Sequence, residues 1–273
     1  MKKVVATLLA GVLPFTLYVM AKHHRPAPDL VECPTPPPQA VAARFERLTF
    51  DEECKAPLDI GYGTDGHKWN AGLWWEPIPL SSDFEIKNGV LTLTGTGSGI
   101  NLCTQYHDYC GGRYFTGGYF EACILANDWS AFWLLAAARP LGNPVIPSDP
   151  KTWTNEIDIM ESDSGYPNKV WCTLHSNSSS SGGVQDQQNK PADYPMPNGG
   201  SVIGQWHTYG LLWTRKALTW YVDNVPIVTL PPYASTWQPV QLILGVGPGG
   251  VNGSPSTVTP PTMQVQWVRV WEN

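Results

Sequence analysis

Residues 153–161 read Trp-Thr-Asn-Glu-Ile-Asp-Ile-Met-Glu. Ile157 and Ile159 fall at every second place, the period of a strand with one face in a core. Glu156 and Asp158 then share the opposite face. Glu161 breaks the alternation. In a regular strand Met160 would lie on the acidic face, and Glu161 would enter the core, where a charge is costly. One extra residue, a β-bulge, returns Glu161 to the side of Glu156 and Asp158. The stretch therefore predicts a strand with a bulge at Ile159–Met160 and three carboxylates on one face.

Such a cluster has a chemical consequence. Like charges packed together disfavour ionisation and raise at least one carboxyl pKa. A protonated carboxylic acid beside an ionised carboxylate is the combination that glycosidic bond cleavage uses. Glu156, Asp158 and Glu161 are the candidate catalytic residues. The bland alternative is an acidic strand edge that only limits aggregation.

Outward from this stretch, strand-like runs recur. Val90-Leu91-Thr92-Leu93-Thr94 follows Asn88-Gly89, a turn signal. Alternation recurs at 118–124, 131–135, 170–175, 207–213, 218–222, 240–244 and 263–271. No long 3.6-residue period appears. Many short strands with Gly- and Pro-rich turns predict an all-β sandwich or jelly roll. Segments 55–85, 137–152 and 176–205 read as long loops that wall a site.

The chain has 273 residues and a formal net charge of −6, which argues against nucleic-acid binding. Lys2 and Lys3 precede an uncharged run from Val4 to Ala21. Residues 1–21 read as a signal peptide, with an uncleaved membrane anchor as the rival. Export to a periplasmic or extracellular space is the expectation, with membrane association only if that segment stays attached. Residues 22–44 are Pro-rich and read as a linker, leaving 45–273 as the folded domain. Six cysteines, at 33, 54, 103, 110, 123 and 172, fit an exported protein with disulfides. Cys103 and Cys110 would close a hairpin loop, although spacing alone does not choose the pairing. No Cys-x-x-Cys pair supports a zinc site.

The chain resembles the family-16 glycoside hydrolases across roughly residues 45–273. Beyond Glu156-Ile157-Asp158-Ile159-Met160-Glu161, the resemblance rests on Gly118-Tyr119-Phe120-Glu121-Ala122 and Trp129-Ser130-Ala131-Phe132-Trp133-Leu134-Leu135. It continues through Thr173-Leu174-His175, the pair Trp206–Trp213 and Trp220–Asp223, and a closing run Met263–Trp271. The resemblance implies a concanavalin A-like jelly roll of two curved antiparallel sheets with a concave substrate cleft. It implies retaining hydrolysis, with Glu156 as nucleophile, Glu161 as general acid/base and Asp158 as the assisting carboxylate. The Glu-x-Asp-x-x-Glu spacing is that of the laminarinase, agarase and carrageenase branches. A retaining pair needs its carboxyls about 5–5.5 Å apart.

His175 is expected to hydrogen-bond Asp158 or the sugar. Trp133 and Trp153, then Trp129, are the expected sugar-stacking platforms, since apolar sugar faces pack on aromatic rings. Trp171, Trp213 and Trp220 are read as core, and His207 and Tyr209 as structural. The substrate implied is a β-glucan, β-1,3 or mixed β-1,3/1,4, cleaved internally; a monomer is the default expectation. No cofactor is required. A galactanase or a transglycosylase of the same family is the alternative, and a non-catalytic β-glucan-binding protein is the alternative of another class. Sulfated galactans would call for cationic side chains along the cleft, with Arg113 and Arg139 the nearest candidates.

Three positions depart from the family pattern. Gln266 stands where an Asp often helps hold a structural calcium, so that calcium is doubtful. Asn155 stands where a Gly often precedes the first Glu, and Gly245 where an Asn often follows the Leu-Ile-Leu run.

Overall fold

The computed structural model describes residues 34–73, 76–106, 111–136, 155–178, 183–186, 193–232, 239–251 and 255–273. The expectations for residues 1–21, Cys33, Cys110, Arg139 and Trp153, and for the loop at 137–152, lie outside these residues. Thr35–Asn273 forms one compact unit.

The chain enters through helix α1 (Pro38–Ala42) and strand β1 (Arg47–Glu52). Next come β2 (Ile60–Gly61), β3 (Trp69–Ala71), β4 (Phe84–Lys87), β5 (Val90–Thr94) and β6 (Ile100–Cys103). The middle of the chain holds β7 (Gly118–Ala126), β8 (Ser130–Ala136), β9 (Glu156–Glu161), β10 (Lys169–Ser178), β11 (Gly183–Asp186) and β12 (Asp193–Pro195). The last strands are β13 (Trp206–Trp213), β14 (Leu218–Val222), β15 (Val225–Leu230), β16 (Val240–Val246) and β17 (Thr262–Glu272). They build two sheets. One runs β15-β14-β13-β7-β17-β5-β4, with β1 also on β17. The other runs β11-β10-β9-β8-β16-β6-β3-β2, with β12 also on β10. Steps such as β5 to β6, β7 to β8 and β16 to β17 carry the chain between sheets, as in the predicted jelly roll. Among the described strand pairs β2–β3 alone is parallel, and an isolated parallel bridge joins Ala126 to Ile203.

Alternation sorts the side chains of the second sheet. Phe132 and Leu134, Ile157 and Ile159, Val170, Cys172 and Leu174, and Leu242 and Leu244 enter the core between the sheets. Trp133, Leu135, Ile243 and Cys103 lie on the other face, where with Leu73 they form a second apolar cluster. The bulge appears where the sequence placed it. Against β8, Met160 faces Phe132 and Asp158 faces Trp133, so Ile159 is surplus. Against β10, Glu161 faces Trp171 and Asp158 faces Thr173. Ile159 and Met160 are consecutive, yet both are buried in the same core. A hydrogen bond ties the bulge to the facing sheet: Trp220 Nε1 on β14 donates to the backbone carbonyl of Asp158 at 2.8 Å.

Two expectations are corrected. The linker does not reach residue 44, because α1 belongs to the compact unit and Ala40 is fully buried in a cluster with Tyr119 and Trp271. The disulfide framework is not found among the described residues: no disulfide joins Cys54, Cys103, Cys123 and Cys172 to one another, and all four are buried. They are scattered. Cys54 and Cys172 lie in the core, Cys103 sits in the second apolar cluster, and Cys123 Sγ donates to Gln266 Oε1. Cys103 Sγ donates to the carbonyls of Gly72 and Gln105. Burial pushes the Cys54 and Cys103 thiols up to about 12, so neither supplies a thiolate near neutrality.

Trp220→Phe removes the indole donor and strands a buried carbonyl. The expected loss is about 2 kcal/mol or more of unfolding free energy, read by urea denaturation. A loss under about 0.5 kcal/mol would show that the cross-sheet bond does not hold the bulge.

Candidate active site

Glu156, Asp158 and Glu161 line one groove on the outer face of the second sheet. The bulge is the reason: it turns Glu161 to the same side as the other two acids while Ile159 and Met160 fill the core. Trp129, Ala131 and Trp133 from β8 and the turn before it form one side of the groove. Leu73, Glu76 and Asn101 form another part of its lining.

Asp158 is buried at 4% exposure and is engaged at two points. Its Oδ2 lies 2.9 Å from His175 Nε2, and its carbonyl accepts from Trp220. His175 reaches it because register pairs His175 with Glu156 and Thr173 with Asp158 on β10. Glu161 receives a hydrogen bond from Trp129 Nε1 at 3.2 Å. Desolvation pushes the Glu161 carboxyl up to about 8, and the negative charge of Asp158, then that of Glu156, adds to the rise. The Trp129 N–H and the positive charge of His175 oppose it. Near neutrality Glu161 is therefore a carboxylic acid, able to give up a proton.

The other predicted positions sort as follows. Trp133 is half-buried. It packs on the cluster of Leu73, Cys103, Leu135 and Ile243 and lines the groove, as a sugar platform would. Trp129 lines the groove too, but its polar edge is committed to Glu161. Trp213 and Trp220 are core, as expected. Trp171 is buried as expected but not between the sheets: it pairs with Glu161 in register on the groove side and is covered by Tyr166 at 5.7 Å. His207 is structural, held by Asp223 Oδ2 at 2.7 Å and the carbonyl of Ser201 at 3.0 Å. Tyr209 is core. Arg113 turns away from the groove to Glu272, with its guanidinium over Phe115.

Glu76 and Asn101 were missed. Glu76 lies in an irregular loop and carries no sequence signal. Asn101 had one, a polar residue between Ile100 and Leu102 on a strand. Asn101 Nδ2 donates to both oxygens of Glu76 at 3.0 Å, and Leu73 N donates to Glu76 Oε2 at 3.1 Å. Gly245 on β16 stands opposite Asn101, and a Cβ there would sit 2.6 Å from Asn101 Oδ1. The missing side chain at 245 is thus matched by the amide at 101. Asn155 is buried at the start of β9, where its carbonyl accepts from Ala136 N.

Glu156, Asp158 and His175 each offer a ligand atom, all within 4.8 Å of one another, and are the one such group among the described residues. The Asp158–His175 hydrogen bond already pairs two of the three. The exposed Gln266 lies elsewhere, on β17, and its amide oxygen accepts from Cys123.

A family model described as glycosyl hydrolases family 16 matches residues 113–269. The endo-1,3-1,4-beta-glycanases ExsH and EglC of Rhizobium meliloti are each 29% identical to this chain, over 242 and 207 residues. Those alignments cover 76% and 71% of this chain but 47% and 40% of the relatives, so the chain spans less than half their length. Among solved structures, the laminarinase catalytic domain of Thermotoga maritima matches with a TM-score of 0.63 at 20% identity, over 83% of this chain and 98% of that one.

Titration of the Glu161 carboxyl by carbon NMR tests the electrostatics. Asp158→Asn removes a charge that raises the pKa, so the midpoint falls. Trp129→Phe removes a donor that lowers it, so the midpoint climbs. Stability follows by linkage: the folded state keeps a proton that an unfolded Glu releases near 4.5, so stability is lost as pH rises from about 4.5 to about 8. Glu161→Gln flattens that slope. A remainder belongs to Glu121, which burial pushes up to about 7. An unchanged slope in Glu161→Gln would contradict a raised Glu161.

Proposed function

Because the chain belongs to glycosyl hydrolases family 16, we propose that the groove cleaves internal bonds of a β-1,3 or mixed β-1,3/1,4 glucan with retention of configuration. One observation carries the reading: three carboxyls from one bulged strand meet in a groove, and the last of them is held protonated near neutrality.

Glu156 attacks the anomeric carbon and forms a glycosyl-enzyme ester. The bond from that carbon to the bridging oxygen breaks, and Glu161 gives its proton to the departing oxygen. In the second half, Glu161 takes a proton from water as the water oxygen attacks the same carbon. Glu156 leaves as a carboxylate, and Glu161 is again protonated. Asp158 serves both halves. Its charge favours the acid form of Glu161, and the His175 contact holds its carboxylate in place. Trp133 is the stacking platform for a sugar ring, and Trp153 is proposed alongside it from sequence.

A neutral substrate is supported by the lining. No Lys or Arg is among its described residues, and Glu76 adds a fourth carboxylate that would repel sulfate. The Rhizobium relatives are named endo-1,3-1,4-beta-glycanases, which supports the β-1,3 or mixed β-1,3/1,4 linkage. Export rests on the pattern of residues 1–21, to which the buried cysteines add nothing.

The test is release of reducing ends from laminarin, barley mixed-linkage glucan, agarose and κ-carrageenan. Activity is expected on one or both glucans, with loss by about a thousandfold or more in Glu156→Gln. Proton NMR of the first products should show the β anomer. An α anomer would remove Glu156 from the nucleophile role, and activity on a galactan alone would replace the glucan assignment.

A further inference from the structure

The groove does not stop at the catalytic carboxylates. Register aligns Glu161 on β9 with Ala131 on β8, then Gly245 on β16, then Asn101 on β6. The two middle positions carry the smallest side chains, so the floor between Glu161 and Asn101 is low. Three strand spacings separate these ends, roughly 14 Å. At the far end stands Glu76, fastened by Asn101. A second groove begins at the same residue, between Pro77–Leu80 and Thr96–Ile100. Glu76 lines both grooves. Beside it Ile78 is 41% exposed and Leu80 68% exposed, two aliphatic side chains on open surface.

We infer that this second groove binds the continuation of the glucan chain, with Glu76 as the recognition residue at the junction. The inference rests on the glucan reading of the catalytic groove. The chemistry of a β-glucan fits both parts. A carboxylate has about four acceptor sites, and Asn101 Nδ2 and Leu73 N do not use them all. What remains accepts from sugar hydroxyls in charge-assisted hydrogen bonds. Past that point, Ile78 and Leu80 meet the apolar face of a pyranose ring. Asn101 is a positioning residue: it presents Glu76, and the lack of a side chain at Gly245 gives its amide room. A sulfated or uronate polymer would be repelled by Glu76, so the occupant is a neutral chain.

Calorimetric binding of a β-1,3-linked glucose trimer and hexamer to the full chain carrying Glu156→Gln tests this without turnover. The hexamer should bind about tenfold tighter than the trimer, the worth of one hydrogen bond to a charged group. Adding Glu76→Ala should bring that ratio close to one, and Ile78→Ser with Leu80→Ser, made separately, should lower it. The second pair is exposed, so it tests the groove without disturbing the loop that Glu76 holds. A ratio that survives in both variants, or a parent that binds the two lengths equally, would overturn the second groove alone. Binding of neither length would overturn the glucan reading and this subsite together.

Discussion

The surplus residue in β9 is the constraint on which the site depends. A strand with period two cannot put Glu156, Asp158 and Glu161 on one face while burying Ile157 and Met160 on the other. The bulge at Ile159–Met160 does both, and it does so with two consecutive apolar side chains in the core. Bulges disturb the local ladder. Here the facing sheet compensates, since Trp220 reaches across the core to the carbonyl of Asp158. The sandwich and the site are therefore coupled. The same bond that links the layers sets the height of the central acid.

Electrostatics then divides the labour among three like groups. Asp158 is the most enclosed and has a fixed partner in His175. Its charge, added to desolvation, keeps the proton on Glu161. Trp129 moderates the effect by donating to the same carboxyl. A groove without this balance would hold either three repelling carboxylates or an acid too weak to release its proton, and neither suits the acid/base role proposed for Glu161.

Small residues shape the rest of the face. Ala131 and Gly245 lower the floor beside Glu161, and the neighbouring row, with Trp133, Ile243 and Cys103, is apolar and filled. The groove consequently runs across the strands toward Glu76, not along them. Such a path suits a polymer entering from one edge of the sheet, because each strand crossed can offer a different side chain.

What the sequence determined by itself was local. The alternation around Ile157 and Ile159 identified the strand, the misplaced Glu161 required the bulge, and the recurring short runs specified an all-β sandwich. These follow from a backbone period that every strand obeys. Trp133 and His175 were legible because they sit on strands beside the motif. Tertiary structure decided the rest. Glu76 lies in a loop without a period, and it joins the site only because Asn101, 25 residues later, is aligned beside Gly245. The place of Trp171 depended on which side of β10 the register turned outward. The cysteines suggested disulfides by number, but their state follows from where four different strands and loops bury them. Neighbours across a sheet come from segments distant in the chain, and no local pattern encodes which of them will meet.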